Sequence, residues 1–447
     1  MIDNKPFAIR KRTEMNKFII GAVVLATALS ANALEPAQGL DKPIPSPASL
    51  LLDKLRAVAD SPRYYWAWTH TLVDPWLQQG DARHAVAKDG GYVPKALSDV
   101  ELKFDYGKYS GGRRTVINYS DLAAIAGTWH SPEYYAANRA SLTAAIKKQW
   151  REFGGIVVFT WHMDHPYCTN GFPKASYRFK SYGENRNVIR QILDGTGGPC
   201  GTGCIDGNSK RKPFANPREW YKASLGDVAA FFDGLADDET GRRIPVIMRY
   251  PHEMDGAWFW WGRTWCSPQE FRAFCRETAD CLRKKCPGQI LFAYTPGGKM
   301  WKDFGAEGDT ENTFLACYPG DAYVDIIGMD DYSIGSVGDC GDESVEAAFA
   351  GVVRKLRLVT AFAKERGKVA ALTETGGKKR RRDFWTFLHR VATAEGVGIA
   401  FVNTWSRHWG TIPLSPEEAE NQRSFALRPE VIMEGPGNGF RPTPPAR

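Results

Sequence analysis

Short runs of apolar, β-branched and aromatic residues recur along this chain, and most of them end in polar or aromatic positions. Eight runs are present, at 64–72, 115–120, 155–162, 244–253, 289–296, 324–332, 368–375 and 398–405. Stretches with helical spacing of apolar residues, such as 268–285 and 343–366, lie between several of them. Strands that alternate with helices predict a parallel sheet, and eight such strands close a (β/α)8 barrel. We therefore predict an α/β protein with the TIM barrel fold.

The ends of the predicted strands carry the candidate functional residues. These are Trp161 and His162 on the third run, His252 and Glu253 on the fourth, Asp330 and Tyr332 on the sixth, Glu374 on the seventh, and Trp405 on the eighth. In (β/α)8 barrels the carboxyl ends of the strands form the active site. We expect these side chains to converge on one face of the barrel. The two glutamates would be catalytic, and the other residues would bind substrate.

Two of these residues, Glu253 and Glu374, have the chemistry that glycoside hydrolysis requires. They end the fourth and the seventh runs, so their carboxyl groups are expected to face each other across the mouth of the barrel. Cleavage of a glycosidic bond uses two carboxyl groups that flank that bond. The sequence leaves their separation open. It also leaves open the alternative that each glutamate is a member of a structural ion pair at a strand end.

The surroundings of the two glutamates differ, and the difference predicts their roles. Aromatic residues at 258–261 follow Glu253, and apolar surroundings raise the pKa of a carboxyl group. Glu374 is followed by a polar segment at 375–377 and then by a basic run, which favours the ionised form. A retaining hydrolase needs one protonated and one ionised carboxyl group. We predict Glu253 as the acid/base and Glu374 as the nucleophile.

Aromatic residues are expected to form part of the binding surface, because the chain contains 15 tryptophans. The face of an indole suits the apolar face of a pyranose ring, and its N–H can bind a hydroxyl group. We predict Trp258 and Trp405 as such platforms. For His162 and His252, a hydrogen-bonded position in the core remains open beside a role in substrate binding.

The first 33 residues have the pattern of an export signal. Basic residues precede an apolar run at 18–31 and an A-x-A site at 31–33, and this run is shorter than the ~20 residues of a membrane-spanning helix. We predict a signal peptide at 1–33, a linker at 34–50, the catalytic domain at 51–433 and a Gly/Pro-rich tail at 434–447. The tail is expected to be disordered or to lie flat on the surface. The protein would be periplasmic or extracellular, without a stable membrane anchor.

Charge and motifs narrow the possible partners. Residues 1–33 hold five Lys/Arg and two Asp/Glu, so removal of the predicted signal peptide lowers the formal net charge from +7 to +4. A net charge of +4 does not indicate a nucleic-acid partner. The basic run at 378–382 is either a solvated loop or a site for acidic groups. Gly256 stands where an H-E-x-x-H zinc motif would need its second histidine. We expect a monomer with no cofactor and no metal ion.

The nine cysteines all follow the predicted signal peptide, and export permits disulfides. Cys200 and Cys204 are separated by three residues without a second pair at zinc-finger spacing. A loop disulfide is therefore favoured over a zinc site. The segment around them, 164–243, is too long for a simple connection, so we predict an inserted lobe after the third strand.

Four segments resemble those of glycoside hydrolase family 26, whose best-known members are endo-β-1,4-mannanases. They are GGIVVFTWHM at 154–163, RYPHEMDGAWFWWG at 249–262, YPGDAYVDIIGMDDY at 318–332 and TETG at 373–376. The resemblance implies a (β/α)8 fold and a retaining double displacement, with Glu253 as acid/base and Glu374 as nucleophile. It further implies particular substrate-site roles. His252 and Trp258 would contact the sugar next to the scissile bond, Tyr332 would hydrogen-bond the nucleophile, and His162 and Asp330 would line the cleft.

The resemblance also indicates a substrate class. We predict endo-acting hydrolysis of a β-1,4-mannan-type polysaccharide. The family also includes β-1,3-xylanases and mixed-linkage β-glucanases, and these remain alternatives, because the chain has Asp255 where the family commonly has Asn. A glycan-binding protein that uses the same aromatic cleft without catalysis is a further alternative.

Overall fold

Eight parallel strands close into a barrel. The computed structural model describes residues 45–69, 110–128, 131–167, 187–202, 212–298, 303–337, 341–377, 380–405 and 413–442. The barrel strands are β1 Tyr64–Thr69, β2 Ile117–Asp121, β3 Ile156–Thr160, β4 Val246–Arg249, β5 Ile290–Tyr294, β6 Ile326–Asp330, β7 Val369–Thr375 and β8 Phe401–Thr404. Each strand pairs with the next, and β1 pairs with both β8 and β2. The predicted (β/α)8 fold is confirmed; seven of the predicted runs contain a whole strand, and the run 115–120 overlaps β2, which ends one residue later at Asp121.

Every residue of these eight strands is buried. Parallel strands that are covered by helices have no solvent-facing side. This explains why the sequence shows continuous apolar runs instead of strict alternation. A short strand, β9 Val431–Ile432, adds to β1 outside the closed barrel.

Helices connect the strands and surround the barrel. They are α1 Pro47–Ala59, α2 Pro132–Phe153, α3 Val188–Asp194, α4 Pro217–Asp233, α5 Pro268–Lys285, α6 Asp342–Glu365, α7 Phe384–Ala392 and α8 Pro416–Ala426. Five of them begin in the same way, with a side chain that caps the first turn and a proline directly after it. The capping residues are Ser46, Ser131, Asn216, Ser267 and Ser415. Such caps satisfy free backbone N–H groups, and proline suits the first helical position.

The structured domain begins earlier than predicted. Helix α1 begins at Pro47, inside the predicted linker 34–50, because Ser46 Oγ accepts a hydrogen bond of 3.1 Å from Ser49 N. Ala48 and Leu51 on this helix are buried in the core. Residues 1–44, which hold the predicted signal peptide and most of the predicted linker, lie outside the described residues.

The predicted tail is packed against the barrel as far as Pro442. The backbone N–H of Phe440 donates to Gly154 O at 2.8 Å, and the Phe440 ring lies 5.1 Å from that of Tyr65. Arg441 forms an ion pair of 2.8 Å with Asp237. Of the two expectations for the tail, disorder is therefore wrong for this part, because an aromatic side chain and an ion pair anchor it to the surface of the barrel. Residues 443–447 lie outside the described residues.

The predicted lobe after β3 contains helix α3 and an antiparallel bridge between Cys200 and Phe214. Cys200 is a buried free thiol, which disagrees with the predicted loop disulfide. Its predicted partner Cys204 lies outside the described residues, as do Cys168 and Cys340. The other cysteines of the described part are also free thiols, namely Cys266, Cys275, Cys281, Cys286 and Cys317.

Candidate active site

Three carboxyl groups meet at the carboxyl ends of the strands. Glu253 follows β4, Asp330 is the last residue of β6, and Glu374 lies near the end of β7. One carboxylate oxygen from each residue lies within 4.8 Å of the other two. Since all the barrel strands run in the same direction, residues from separate strands converge at one mouth of the barrel. The two glutamates that were expected to face each other are brought together there.

Glu253 has an unusual backbone conformation. Strand β4 ends at Arg249, so Glu253 lies in the following turn and not at the strand end as predicted. Its φ is 49°, and among the described residues it is the one non-glycine residue with a positive φ. Its N–H donates to Thr295 O and its C=O accepts from Gly256 N, both at 3.0 Å. These bonds hold a strained conformation of the kind that often occurs at functional sites.

The carboxyl group of Glu253 is half-buried and accepts one hydrogen bond from an indole. Trp258 Nε1 donates to Glu253 Oε2 at 2.6 Å. Burial raises the pKa of Glu253 to about 8, and the negative charge of Glu374 adds to this rise, whereas the bond from Trp258 acts against it. Glu253 is therefore mostly protonated at neutral pH and able to give up a proton.

Arg249 pairs with the other two carboxyl groups. Its side chain is fully buried, with Nη1 donating to Glu374 Oε1 and Nη2 donating to Asp330 Oδ2 at 2.5 Å. The hydroxyl of Thr295 accepts from the same guanidinium at 3.2 and 3.3 Å. A buried charge is tolerated only when it is paired and hydrogen-bonded in this way. The guanidinium thus fixes the relative position of β4, β6 and β7 at the site.

Both oxygens of Glu374 are held by donors. Arg249 Nη1 binds Oε1, and the hydroxyl of Tyr332 donates to Oε2 at 2.8 Å. Asp330 is also held on both sides, because Thr373 Oγ1 donates to its Oδ1 at 2.7 Å. Donors to the charged form of a carboxyl group stabilise that form. The carboxyl group of Glu374 is therefore held in one orientation by donors on both of its oxygens.

The three carboxylates also have donor atoms that a hard metal cation could use. The positive charge at this place is, however, already supplied by Arg249, which binds one oxygen of Asp330 and one of Glu374. Tyr332 and Thr373 bind the remaining oxygens of the same two residues. We interpret Asp330 and Glu374 as a pair of carboxyl groups that is organised by the guanidinium of Arg249, with Glu253 beside them.

His162 is paired with a residue that the sequence analysis did not select. Its Nδ1 lies 2.5 Å from Asp121 Oδ2, and its backbone N–H donates to Asp121 Oδ1 at 3.1 Å. Burial alone would lower the pKa of His162, but the carboxylate of Asp121 outweighs it, so that the pKa lies above its usual value. His162 is half-buried and therefore partly accessible from the barrel mouth.

His252 packs against His162, but its pKa is shifted in the opposite direction. The two ring centroids are 4.6 Å apart in an edge-on arrangement. Burial lowers the pKa of His252 well below its usual value, and the positive charges of His162 and Arg249 act in the same direction. Its Nδ1 is buried and has no hydrogen-bond partner within the described part of the chain. His252 is therefore a neutral ring with a free polar atom beside the carboxyl groups.

Asp255 is a second buried acid beside Glu253. Its Oδ1 accepts a hydrogen bond of 2.6 Å from Gly297 N, and its Oδ2 is buried without a partner in the described residues. Burial raises the pKa of Asp255 to about 7, against the effect of the Gly297 bond and of the charges of Arg263 and Lys355. The negative form of Asp255 in turn helps to raise the pKa of Glu253.

The tryptophans divide into two groups. Trp258 and Trp405 are half-buried, and Trp405 lies 5.7 Å from His162. Trp161 was predicted to bind substrate, but it is 2% exposed and stacks on Tyr221 at 6.0 Å. Its indole has no free face for a sugar, because the ring fills the core around the barrel. Tyr332 is half-buried like the first group, so it also keeps an accessible edge.

Several functional residues were missed by the sequence analysis. Arg249 directly follows the apolar residues 246–248 and is the last residue of β4, and a cation at that place was a signal of a buried ion pair. Asp121 ends β2 in the same way. For Thr295 and Asp255, the sequence offers no comparable signal, because their contacts depend on neighbouring strands.

Comparisons with known proteins agree with this architecture. The model of glycosyl hydrolase family 26 matches residues 215–389, which contain both Glu253 and Glu374. A mannan endo-1,4-beta-mannosidase of Bacillus subtilis (strain 168) is 30% identical over 306 residues, which are 64% of this chain and 72% of that protein. The chain belongs to glycosyl hydrolase family 26. The predicted family is thus confirmed, and the predicted class, a glycoside hydrolase, is confirmed at the level of the family.

Two further matches show how far this likeness extends. A mannan endo-1,4-beta-mannosidase of Bifidobacterium adolescentis is 36% identical over 196 residues, but the match spans only 18% of that protein and 41% of this chain. The structure of GH26C from Muricauda sp. MAR_2010_75 matches this chain with a TM-score of 0.65 and 23% sequence identity. The match covers 90% of this chain and 94% of the GH26C chain. The structural likeness supports the fold.

Proposed function

We propose that this chain is a retaining, endo-acting glycoside hydrolase that cleaves a β-1,4-mannan-type polysaccharide. The observation that carries the proposal is the pair Glu253 and Glu374, whose carboxylate oxygens lie within 4.8 Å of each other in different environments. The mannan substrate and the endo action are inferred from what two relatives are named, mannan endo-1,4-beta-mannosidase. No cofactor is needed for this chemistry.

The spacing of the two carboxyl groups supports the retaining mechanism. Retaining enzymes hold their carboxyl groups ~5 to 5.5 Å apart, whereas inverting enzymes hold them ~6.5 to 9.5 Å apart to admit a water molecule. The oxygens of Glu253 and Glu374 approach within 4.8 Å. This distance is close to the range of the retaining enzymes and well below that of the inverting enzymes. Direct attack by one carboxylate on the sugar is therefore favoured.

In the first step, Glu374 acts as the nucleophile. Its carboxylate attacks the anomeric carbon and forms a glycosyl ester, while the bond from that carbon to the leaving sugar oxygen breaks. The protonated Glu253 gives its proton to that oxygen, so the departing sugar leaves as a neutral alcohol. The raised pKa of Glu253, due to burial and to the charge of Glu374, keeps this proton available at neutral pH. Arg249 and Tyr332 hold Glu374 in the attacking orientation.

In the second step, water replaces the released sugar. Glu253, now a carboxylate, takes a proton from that water while the water oxygen attacks the anomeric carbon. The ester bond breaks, Glu374 leaves as a carboxylate, and the product keeps its original anomeric configuration. Once Glu374 is bound in the ester it carries no charge, and the pKa of Glu253 then falls, as its second role requires.

The half-buried residues around the pair supply the substrate contacts. Trp258 and Trp405 are expected to stack on sugar rings, and His162 and Tyr332 are expected to bind hydroxyl groups. His252 has a buried Nδ1 without a partner in the described residues, which could bind a sugar hydroxyl next to the scissile bond. Asp330 acts through Arg249 in this scheme and not by direct contact with sugar. Trp161 is left out of the binding set because it is buried.

We further propose that the chain acts as an exported monomer. The basic and apolar pattern of residues 1–33 supports export. Among the described residues, none of the helices combines the length and the apolar character that crossing a bilayer would require. A polymer substrate outside the cell fits this location, since polysaccharides do not cross membranes.

The first experiment incubates the purified protein with β-mannan, glucomannan, mixed-linkage β-glucan and β-1,3-xylan, and follows the products by chromatography. Manno-oligosaccharides of several lengths that appear early would support endo-mannanase action. Products from β-1,3-xylan or mixed-linkage glucan alone would replace the substrate assignment but keep the mechanism. Binding to a polymer without any product would support a glycan-binding protein instead. The β-anomer as the first product in proton NMR would support retention.

A further inference from the structure

One arginine of the basic run at 378–382 is not part of a solvated loop. Arg380 is 6% exposed, and its Nε donates to Glu418 Oε1 at 2.7 Å. Both side chains are buried, with 0% and 1% exposure. Its neighbour Arg381 is more exposed and pairs with Asp342 and Asp383, at 3.0 Å each. The expectation that the run is simply solvated, or free to bind acidic groups, is therefore wrong for Arg380.

The buried pair ties two segments at the active-site end of the barrel. Arg380 Nη1 donates to Gly377 O at 2.7 Å, in the connection that follows Glu374 on β7. Glu418, in the first turn of α8, also accepts from Leu414 N at 2.6 Å through Oε2. A buried guanidinium and a buried carboxylate must both be fully paired to be tolerated. The connection after β7 is therefore fixed to the start of α8 by a rigid contact.

This connection lies directly against the one that carries Tyr332. A Cβ added to Gly335 would lie 1.8 Å from Gly376 O, and one added to Gly377 would lie 1.7 Å from Gly335 O. The two backbones are thus in contact without space for any side chain. Gly335 N donates to Tyr332 O at 3.2 Å. A shift of Gly377 would therefore displace Gly335 and, with it, Tyr332.

We propose that the Arg380–Glu418 pair is a positioning device for the nucleophile. It holds Gly377 against Gly335, and this contact places the Tyr332 hydroxyl on Glu374 Oε2. Arg380 touches neither substrate nor the reacting atoms, so its effect passes through Tyr332. The proposal rests on the proposed function, since it assigns Glu374 a role as nucleophile.

The test combines a positioning variant with the removal of the hydroxyl through which it acts. Arg380→Met is compared with Tyr332→Phe, with the double variant, and with Arg381→Met as the matched control in the same run. All variants are assayed as the full chain on the polymer that the wild type cleaves, after circular dichroism and thermal unfolding have shown that each is folded. Arg380→Lys is included because it keeps a cation beside Glu418 but lacks the second donor for Gly377.

We expect Arg380→Met to lower kcat about tenfold with KM changed less than about twofold, and Arg380→Lys to lower kcat several-fold. Arg381→Met should keep the wild-type kcat. In the Tyr332→Phe background, Arg380→Met should cause less than about a twofold further loss, because the route through the hydroxyl is already absent. A merely structural role would lower activity to the same extent in both backgrounds.

Several results would overturn the proposal. They are a wild-type kcat in folded Arg380→Met or Arg380→Lys, independent losses that multiply in the double variant, and a change confined to KM. If Arg380→Met does not fold, Arg380→Lys alone decides the question in the same cycle. A wild type that cleaves none of the polymers contradicts the proposed function, whereas an active wild type with a fully active Arg380→Lys contradicts only this inference.

Discussion

The indole of Trp258 donates a hydrogen bond of 2.6 Å from Nε1 to Oε2 of Glu253. This donor favours the ionised carboxylate, whereas burial and the nearby charge of Glu374 favour the protonated acid. Both states are needed in a double displacement, the acid in the first step and the base in the second. The bond therefore balances the two roles, and the pH dependence of activity should respond to it.

Trp258→Phe should extend activity to higher pH. The substitution removes a donor that lowers the pKa of Glu253, so the acid form persists further, and the alkaline limb of kcat/KM is expected to move up by about half a pH unit or more. The measurement is the pH profile of kcat/KM on soluble polymer. Trp265→Phe is the control, since the indole N–H of Trp265 donates to Ala257 O at 3.2 Å and not to a carboxylate. An alkaline limb that moves down would contradict the assignment of Glu253 as the acid.

Asp255→Asn should move the same limb in the opposite direction. Ionised Asp255 raises the pKa of Glu253, and Asn carries no charge but keeps an oxygen for Gly297 N. The acid form of Glu253 is then lost at lower pH, and the alkaline limb is expected to fall by about half a pH unit. Activity on the acidic side should change little. An unchanged alkaline limb would show that the two acids are not coupled.

The same variant should change how stability depends on pH. The pKa of folded Asp255, about 7, lies above the value of ~3.9 in an unfolded chain, so the folded state binds the proton more tightly and stability falls as pH rises between these values. Asp255→Asn removes this loss. At each pH, the unfolding free energy of Asp255→Asn can be compared with that of the wild type. This difference should be about 2 to 4 kcal/mol more favourable to the variant at pH 8 than at pH 4. Urea unfolding at the two pH values measures the difference, with the exposed Asp194→Asn as control.

Gly335→Ala should damage both stability and activity. The added Cβ would meet Gly376 O at 1.8 Å, so the two connections must separate, at a cost of about 2 to 4 kcal/mol. The Tyr332 contact to Glu374 would be lost with them, and kcat should fall. Gly351→Ala is the matched control, because a Cβ there meets nothing within 4 Å in helix α6. That variant should instead gain about 0.5 to 1 kcal/mol. Thermal unfolding and polymer assays of both variants test the contrast.

The roles of the two glutamates can be separated with an activated substrate. An aryl glycoside with an acidic phenol needs no proton from the enzyme to leave. Glu253→Gln should therefore release phenol in a rapid burst, while its turnover of polymer falls by at least about 10³-fold. Glu374→Gln should release no burst of phenol, because no ester can form. A burst from Glu374→Gln, together with none from Glu253→Gln, would reverse the assignment.

Much of the fold was predictable because it depends on local patterns. Each of the eight apolar runs coincides with a barrel strand, with β2 extending one residue beyond its run. Helix 268–285 was predicted with the bounds that the structure has, since Ser267 and Pro268 mark its start. The start of α1 was missed although Ser46 and Pro47 give the same signal. The packed part of the tail could not be predicted, because Phe440 and Arg441 bind residues that are far away in sequence.

The sequence by itself determined the order of strands and helices and placed two glutamates at the mouth of the barrel, because periodicity and strand ends are local properties. It also indicated that Glu253 is surrounded by aromatic residues. Only the tertiary structure decided that Arg249 joins Asp330 to Glu374, that Trp161 is buried, and that Arg380 pairs with Glu418. Each of these depends on contacts between separate strands and helices. Such contacts are set by the closure of the barrel and the packing around it, which no single segment specifies.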